Sequence, residues 1–148
     1  MSYEIPPQVK PDSDDGYLEQ MTKAIFQAGF NWRVIRDKWP NFQAAFDGFD
    51  VATVAGYGDP DVERLASDEG IVRNRRKIEA TIQNARMMWE LSREHGSFHA
   101  YLRSLDSLDY AGRRKVLTKQ FRNLGPTGLF VFLWCVDENV PDWEDRNR

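Results

Sequence analysis

"NLGPTGLFVFLWCV", Asn123–Val136, decides the fold class. The run from Leu129 to Val136 is apolar, β-branched and aromatic, so its composition alone suits a buried strand. Two features make it a helix. Gly125-Pro126-Thr127 is a good helix entry, because proline in the first turn has no N–H to leave unpaired. No other segment alternates apolar and polar residues at period two, so a strand here has no partner. The basic stretch Arg113–Arg122 precedes it and reads as a second helix, with a tight turn between them. Gly125 is expected to give that turn its backbone freedom. The expected fold is all-α, a compact orthogonal bundle of short helices built around this hairpin.

The same logic extends outward. Asp14 or Asp15 can cap a helix running to about Ala28, with Leu18, Met21, Ile25 and Ala28 as its buried stripe. A second stripe on that helix, Tyr17, Gln20, Ala24 and Gln27, is mostly polar. Gly29 stops it. Short helices are expected at Trp32–Trp39 and Asn41–Phe46. "DPDVERLASDEG" reads as a helix capped by Asp59 and ended by Gly70. The longest helix runs from about Asn74 to Glu94, with Ile78, Ile82, Ala85 and Trp89 facing the core. A short one follows at Ser97–Arg103. Trp134 and Phe132 are expected to be packing residues, and Cys135 a buried small hydrophobe. Residues 1–15 read as an extended or disordered tail, 16–143 as one domain and 144–148 as a C-terminal tail.

Composition excludes several classes. One cysteine among 148 residues allows no internal disulfide and fits a reducing compartment. With two histidines besides, His95 and His99, the usual zinc ligand set cannot form, and no metal or other cofactor is expected. No apolar run approaches the length of a membrane span. "MSYEIPPQVKPDSDDG" lacks the basic start and apolar core of a signal peptide, so the protein reads as cytoplasmic. A monomer is the default, since no long apolar helix face asks for a partner. Five Trp and nine Phe suggest packed aromatic contacts or a pocket.

The net charge of −3 is unevenly spread. Residues 1–72 carry −7, residues 73–122 carry +7 and residues 123–148 carry −3. A basic strip between acidic surfaces suits phosphate neutralisation, and it equally suits solvated helix faces. Arg73, Arg75, Arg76 and Lys77 cluster where the longest helix begins, opposing its dipole. Phosphate binding would explain them, and so would bridges to neighbours such as Glu79 or Asp68. In "KQFRNLGPTGLFVFL", Lys119–Leu133, the second helix opens with unpaired amides beside Lys119 and Arg122. That is the pattern of a helix-hairpin-helix motif, which holds a DNA phosphate without reading sequence. Lys119, Arg122, Asn123, Leu124, Gly125, Thr127 and Gly128, with Arg73 and Arg75, are the candidate backbone contacts.

Three segments in this order resemble the DNA-3-methyladenine glycosylase I family of the helix-hairpin-helix glycosylase superfamily. "QAGFNW" (Gln27–Trp32) is similar to that family's Gln-Ala-Gly-Leu-Ser-Trp. "FDGFDVATVAGYGDPDVERLASDEGIVRNRRKIEATIQNA" follows its central stretch, and "FRNLGPTGLFVFLWCVDENVPDW" its hairpin and closing helix. The resemblance covers about Leu18 to Trp143, shortened around residues 95–115. It implies a helical DNA-repair enzyme that flips N3-methylated adenine out of duplex DNA into an aromatic pocket and cleaves its N-glycosyl bond. That base is already cationic, so stacking on an indole stabilises it, and Trp32 matches the pocket tryptophan. Tyr17, Gln20, Ala24, Gln27 and Trp32 become the candidate base pocket, and double-stranded DNA the partner.

The departures from the family are specific. Its base-contacting glutamate is Ala24 here, so the catalytic group is unknown, with Glu19, Gln20 and Asp37 as candidate substitutes. Its zinc histidine aligns with Trp143, and no cysteine follows. Three readings stay open: a divergent N-glycosylase, a catalytically silent binder of damaged or distorted DNA, and a helical interaction module.

Overall fold

The computed structural model describes residues 5–147. The first four residues of the expected N-terminal tail, and Arg148 of the C-terminal one, lie outside the described residues. Eight α-helices follow in order, with no strand among the described residues: α1 Asp14–Gln27, α2 Trp32–Ala45, α3 Val51–Ala55, α4 Asp59–Ala66, α5 Arg75–His95, α6 Phe98–Arg103, α7 Tyr110–Gln120 and α8 Pro126–Cys135. The all-α expectation holds, and the apolar run of α8 is a helix.

Helix α5 is the axis. Helices α1, α3, α4 and α6 pack on it, while α8 packs against α1 and α7. The core face of α5 is Ile78, Ile82, Ala85 and Met88. Trp89, expected in this stripe, is instead 41% exposed, with Arg93 over its ring at 5.8 Å. From Ala85 both the third and fourth residues lie on nearly the same face, and the smaller Met88 takes the interior. Each large apolar side chain so buried contributes about 1.5–3 kcal/mol.

Helix α1 buries Leu18, Met21 and Ile25, but the stripe ends there. Phe26 is buried and Ala28 is exposed, because the chain leaves the helix after Gln27. Its N-cap is Ser13, not an aspartate. Asp14 reaches the next layer, accepting from Phe98 N–H at the start of α6 (2.9 Å) and from the Ser92 hydroxyl. Asp15 accepts from Val51 N–H at the start of α3 (3.0 Å). The two carboxylates cap other helices and lock them to α1. At its far end the last carbonyls of α1 are met by Lys77 Nζ, on Phe26 O (3.2 Å) and Ala28 O (2.9 Å).

The two short helices expected over residues 32–46 are one helix, α2, with Pro40 inside it. Losing one amide there is offset by an aromatic column. Phe42 packs on Phe26 and Trp39, Trp39 stacks on Phe49, and Phe49 on Phe46. Residues 5–12 are extended along α8, with Val9 N–H on Cys135 O (3.2 Å) and Trp134 Nε1 on Pro6 O (2.8 Å).

Candidate base pocket and nucleic-acid interface

A cavity of about 520 Å³ opens between α1, the start of α2, α8 and the extended N-terminal strap. Gln20, Ala24 and Gln27 project into it from α1 and Trp32 from α2. The strap closes one side with Ile5, Pro6, Val9 and Pro11. It can lie this close because residue 16 is glycine: a Cβ there would stand 2.7 Å from Pro11 Cβ.

Four of the five residues expected to form a base pocket therefore line one cavity. Tyr17 does not. It is 1% exposed, packs edge-on against Phe98 and bonds His99 Nδ1 through its hydroxyl (3.1 Å). Burial pushes its ionisation up. One turn of helix separates it from Gln20, enough to carry it under α6. Of the candidate substitutes for the family glutamate, only Gln20 lines the cavity. Glu19 accepts from Trp39 Nε1 (2.8 Å) and Gln43 Nε2 (2.7 Å), which ties α1 to α2. Asp37 is exposed on α2 and is not part of the lining.

Sequence reasoning missed other walls. Lys23, Arg36, Val131, Cys135, Trp143 and Arg146 also line the cavity. Lys23 and Arg36 sit a helical turn from Gln27 and Trp32, so helical spacing could have found them. The strap carried no such signal. Cys135 is part-buried rather than fully buried, with its thiol pushed up to about 11 by burial and the Lys23 charge partly opposing the shift. A zinc ion does not fit this corner. Trp143 packs on Trp134 (5.2 Å between rings) and Phe130 (5.9 Å), and an indole is no ligand. Among the described residues no His, Cys, Asp or Glu side chains gather in a metal-binding group. His95 packs on Tyr101 instead.

Beyond α8 lies the hairpin. Gly125 N-caps α8 at φ −76°, an ordinary conformation, so its expected backbone freedom is not used. Asn123 takes the left-handed region instead, at φ 55°. Leu124 is buried and seals the turn, so it is no backbone contact. Asn123, Gly125 and Thr127 are exposed, and Pro126 has no N–H, which leaves the amides of Thr127 and Gly128 at the mouth of the helix. Thr127 Oγ1 also meets Asn147 Oδ1 at 3.3 Å. Lys119 and Arg122 are exposed beside them. A larger, more polar cleft of about 610 Å³ adjoins the turn, sharing Arg122 and Asn123 and adding Arg76, Arg86 and Tyr57.

The basic block is partly structural. Arg75 is paired with Glu63 through both nitrogens (2.9 and 3.1 Å). Arg86 donates to Ala55 O (2.8 Å) and Tyr57 O (2.6 Å), and the buried Arg113 to Asn139 O (2.6 Å). Arg73, Arg76, Lys119 and Arg122 remain as exposed cations on this side.

Residues 9–127 match the family model for methyladenine glycosylase. The chain belongs to the methyladenine glycosylase family. The resemblance read from its motifs is borne out. DNA-3-methyladenine glycosylase 1 of Escherichia coli K12 is 37% identical over 95 residues, covering 59% of this chain and 51% of that one. The chain spans about half the length of the curated relatives it matches. A crystal structure of 3-methyladenine DNA glycosylase I superposes with a TM-score of 0.74 at 28% identity, covering 86% of this chain and 81% of that one. The fold also matches a tyrosine-to-phenylalanine variant of such an enzyme, solved in complex with 3-methyladenine, with a TM-score of 0.77 at 24% identity and coverage of 94% and 86%. No helix among the described residues is long and apolar enough to cross a membrane.

Proposed function

We propose that this chain is a DNA N-glycosylase of the cytoplasm that holds duplex DNA by its hairpin and takes a flipped, alkylated base such as 3-methyladenine into the cavity on α1. The observation that carries the reading is the meeting of Gln20, Ala24, Gln27 and Trp32 in one cavity of base-binding size. Trp32 offers a stacking face, and Gln20 and Gln27 offer amides for the base edge. Exposed Lys119 and Arg122 flank the open amides of α8, which suits a phosphate. A ring-nitrogen-alkylated base leaves as a neutral molecule when its bond to the sugar carbon breaks. Water then adds to that carbon and gives its proton to solvent, so the step needs no strong acid.

The second reading is a binder of damaged DNA without chemistry. One observation favours it: among the described residues no carboxylate lines the cavity. The deciding experiment measures release of free base from alkylated duplex DNA by the wild type and by Ala24→Glu. Release by the wild type supports the glycosylase. Release by the variant alone supports the silent binder. Silence from both, without salt-dependent binding to an abasic-site duplex, removes DNA as the partner and leaves a helical interaction module.

A further inference from the structure

The polar cleft beside the hairpin shares no lining residue with the base cavity. Arg76, Glu79, Gln83 and Arg86 recur at steps of three and four, so they lie on one face of α5, and all four line the cleft. Ten residues of helix give that face a length of about 15 Å. Arg122 and Asn123 of the hairpin turn complete it. Its three guanidiniums are not neutralised by ion pairs: no salt bridge among the described residues involves Arg76, Arg86 or Arg122. Arg86 is held in place by two backbone carbonyls, Ala55 O and Tyr57 O, which fix the side chain and leave its charge standing. Two carboxylates share the lining, Asp59 and Glu79. Glu79 lies one turn from Arg75 and supports that cation, and Asp59 stands in the first turn of α4, where the positive end of the helix favours it. Three guanidiniums against two carboxylates leave a formal charge of +1. One phosphodiester balances that charge.

We propose that this cleft is a second DNA-backbone site, which takes a phosphodiester of the same strand that the hairpin mouth holds. The proposal rests on the reading that the hairpin binds duplex DNA, and it adds where the strand goes next. Asn123 is two residues from Gly125, so the cleft begins within about 7 Å of the open amides of α8. That is about two nucleotides of duplex at about 3.4 Å of axis each. The spacing is rigid, because Asn84 of α5 bonds both backbone groups of Arg122 (2.7 and 3.1 Å) and so fixes the turn to the helix that lines the cleft. Arg86 is preorganised, while the exposed Arg76 and Arg122 supply the N–H groups that close on the phosphate oxygens. No base edge is read here, so the contact adds affinity and register without sequence preference.

The test is a phosphate scan. The full chain is titrated by fluorescence anisotropy with an abasic-site duplex in which single phosphates are replaced, one at a time, by uncharged methylphosphonates. Two positions on one strand, one to three nucleotides apart, are expected to weaken binding severalfold. Arg76→Gln on the unmodified duplex should weaken binding severalfold and flatten the slope of log affinity against log salt by about 0.9. On the duplex neutralised at the cleft position it should cost nothing more, while at the hairpin position its cost should persist. Gln83→Glu, which adds a carboxylate to the same face, should weaken binding in the same position-dependent way. Both side chains are exposed, so the thermal midpoint should stay in place, and two separate variants guard against one failing to fold. Salt-dependent binding with only one sensitive phosphate, or with both variants as tight as the wild type, overturns the cleft and leaves the hairpin reading standing. A cost of Arg76→Gln that is the same on every duplex also overturns it, since that is the signature of a general field and not of a contact. No salt-dependent binding by the wild type sinks the DNA reading and the cleft with it.

Discussion

Asn84, buried at 1% exposure on α5, clasps the backbone of Arg122 from both sides. Its Oδ1 accepts from Arg122 N–H at 2.7 Å and its Nδ2 donates to Arg122 O at 3.1 Å. The hairpin turn is thereby fixed to the central helix at the residue that presents a cation beside the open amides of α8. Asn84→Ala leaves two backbone groups unmet and should cost about 1–3 kcal/mol in urea unfolding. Asn84→Asp keeps the acceptor, loses the donor and buries a charge, so it should cost at least as much. Both should weaken binding to an abasic-site duplex more than Arg122→Gln alone. Unchanged unfolding in both variants would mean that the turn stands without this clasp.

The turn's strain sits at Asn123 and its openness at Gly125. Asn123→Ala places a less tolerant residue at φ 55° and should destabilise by about 1 kcal/mol. Gly125→Ala keeps an allowed backbone, and its new methyl meets nothing within 4 Å, so its stability cost is only that of alanine in place of glycine at an N-cap, about 1 kcal/mol. That methyl would, however, stand where a phosphate must approach the amides. DNA affinity should then fall by about tenfold. If Gly125→Ala binds DNA as well as the wild type, the hairpin mouth is not the anion site.

Glu63 holds Arg75 out of the basic edge. Its carboxyl is drawn below the ordinary range by hydrogen bonds from Arg75 and by the guanidinium charge. The pair therefore survives through the usual carboxylate range and is lost as pH falls through the lowered value. Glu63→Gln should free Arg75 at neutral pH without changing thermal stability, since the pair is exposed and screened. If Arg75 then reaches a phosphate, the slope of log affinity against log salt should steepen by about 0.9. An unchanged slope places Arg75 off the DNA path.

Much of this was legible in the sequence where local spacing governs the outcome. Gly125-Pro126-Thr127 marked the start of α8. On α1 the division between Leu18, Met21 and Ile25 on one side and Gln20, Ala24 and Gln27 on the other became core and cavity. What local spacing could not reveal were partners distant in the chain. Asp14 caps α6 from 84 residues away, and Asn84 reaches Arg122 across 38. Lys77 looked like a free cation in a basic run until the end of α1 folded beside it. The strap had no periodicity at all, yet it forms a wall of the cavity because Gly16 lets Pro11 come close.

Cys135 reports on that cavity. Burial raises its thiol from 9.0 to about 11, while the Lys23 charge pulls the other way. The thiolate is the reactive form. At pH 8 its fraction is on the order of a hundredfold below that of an ordinary thiol. Iodoacetamide labelling should therefore be slow at pH 8 and climb about tenfold per pH unit until about 11. Lys23→Met removes the opposing charge, so labelling should slow further at every pH below that limit. A ligand seated in the cavity should block it. Labelling at pH 8 as fast as that of a small free thiol would mean that the strap lifts from α8 and wets the wall at Cys135.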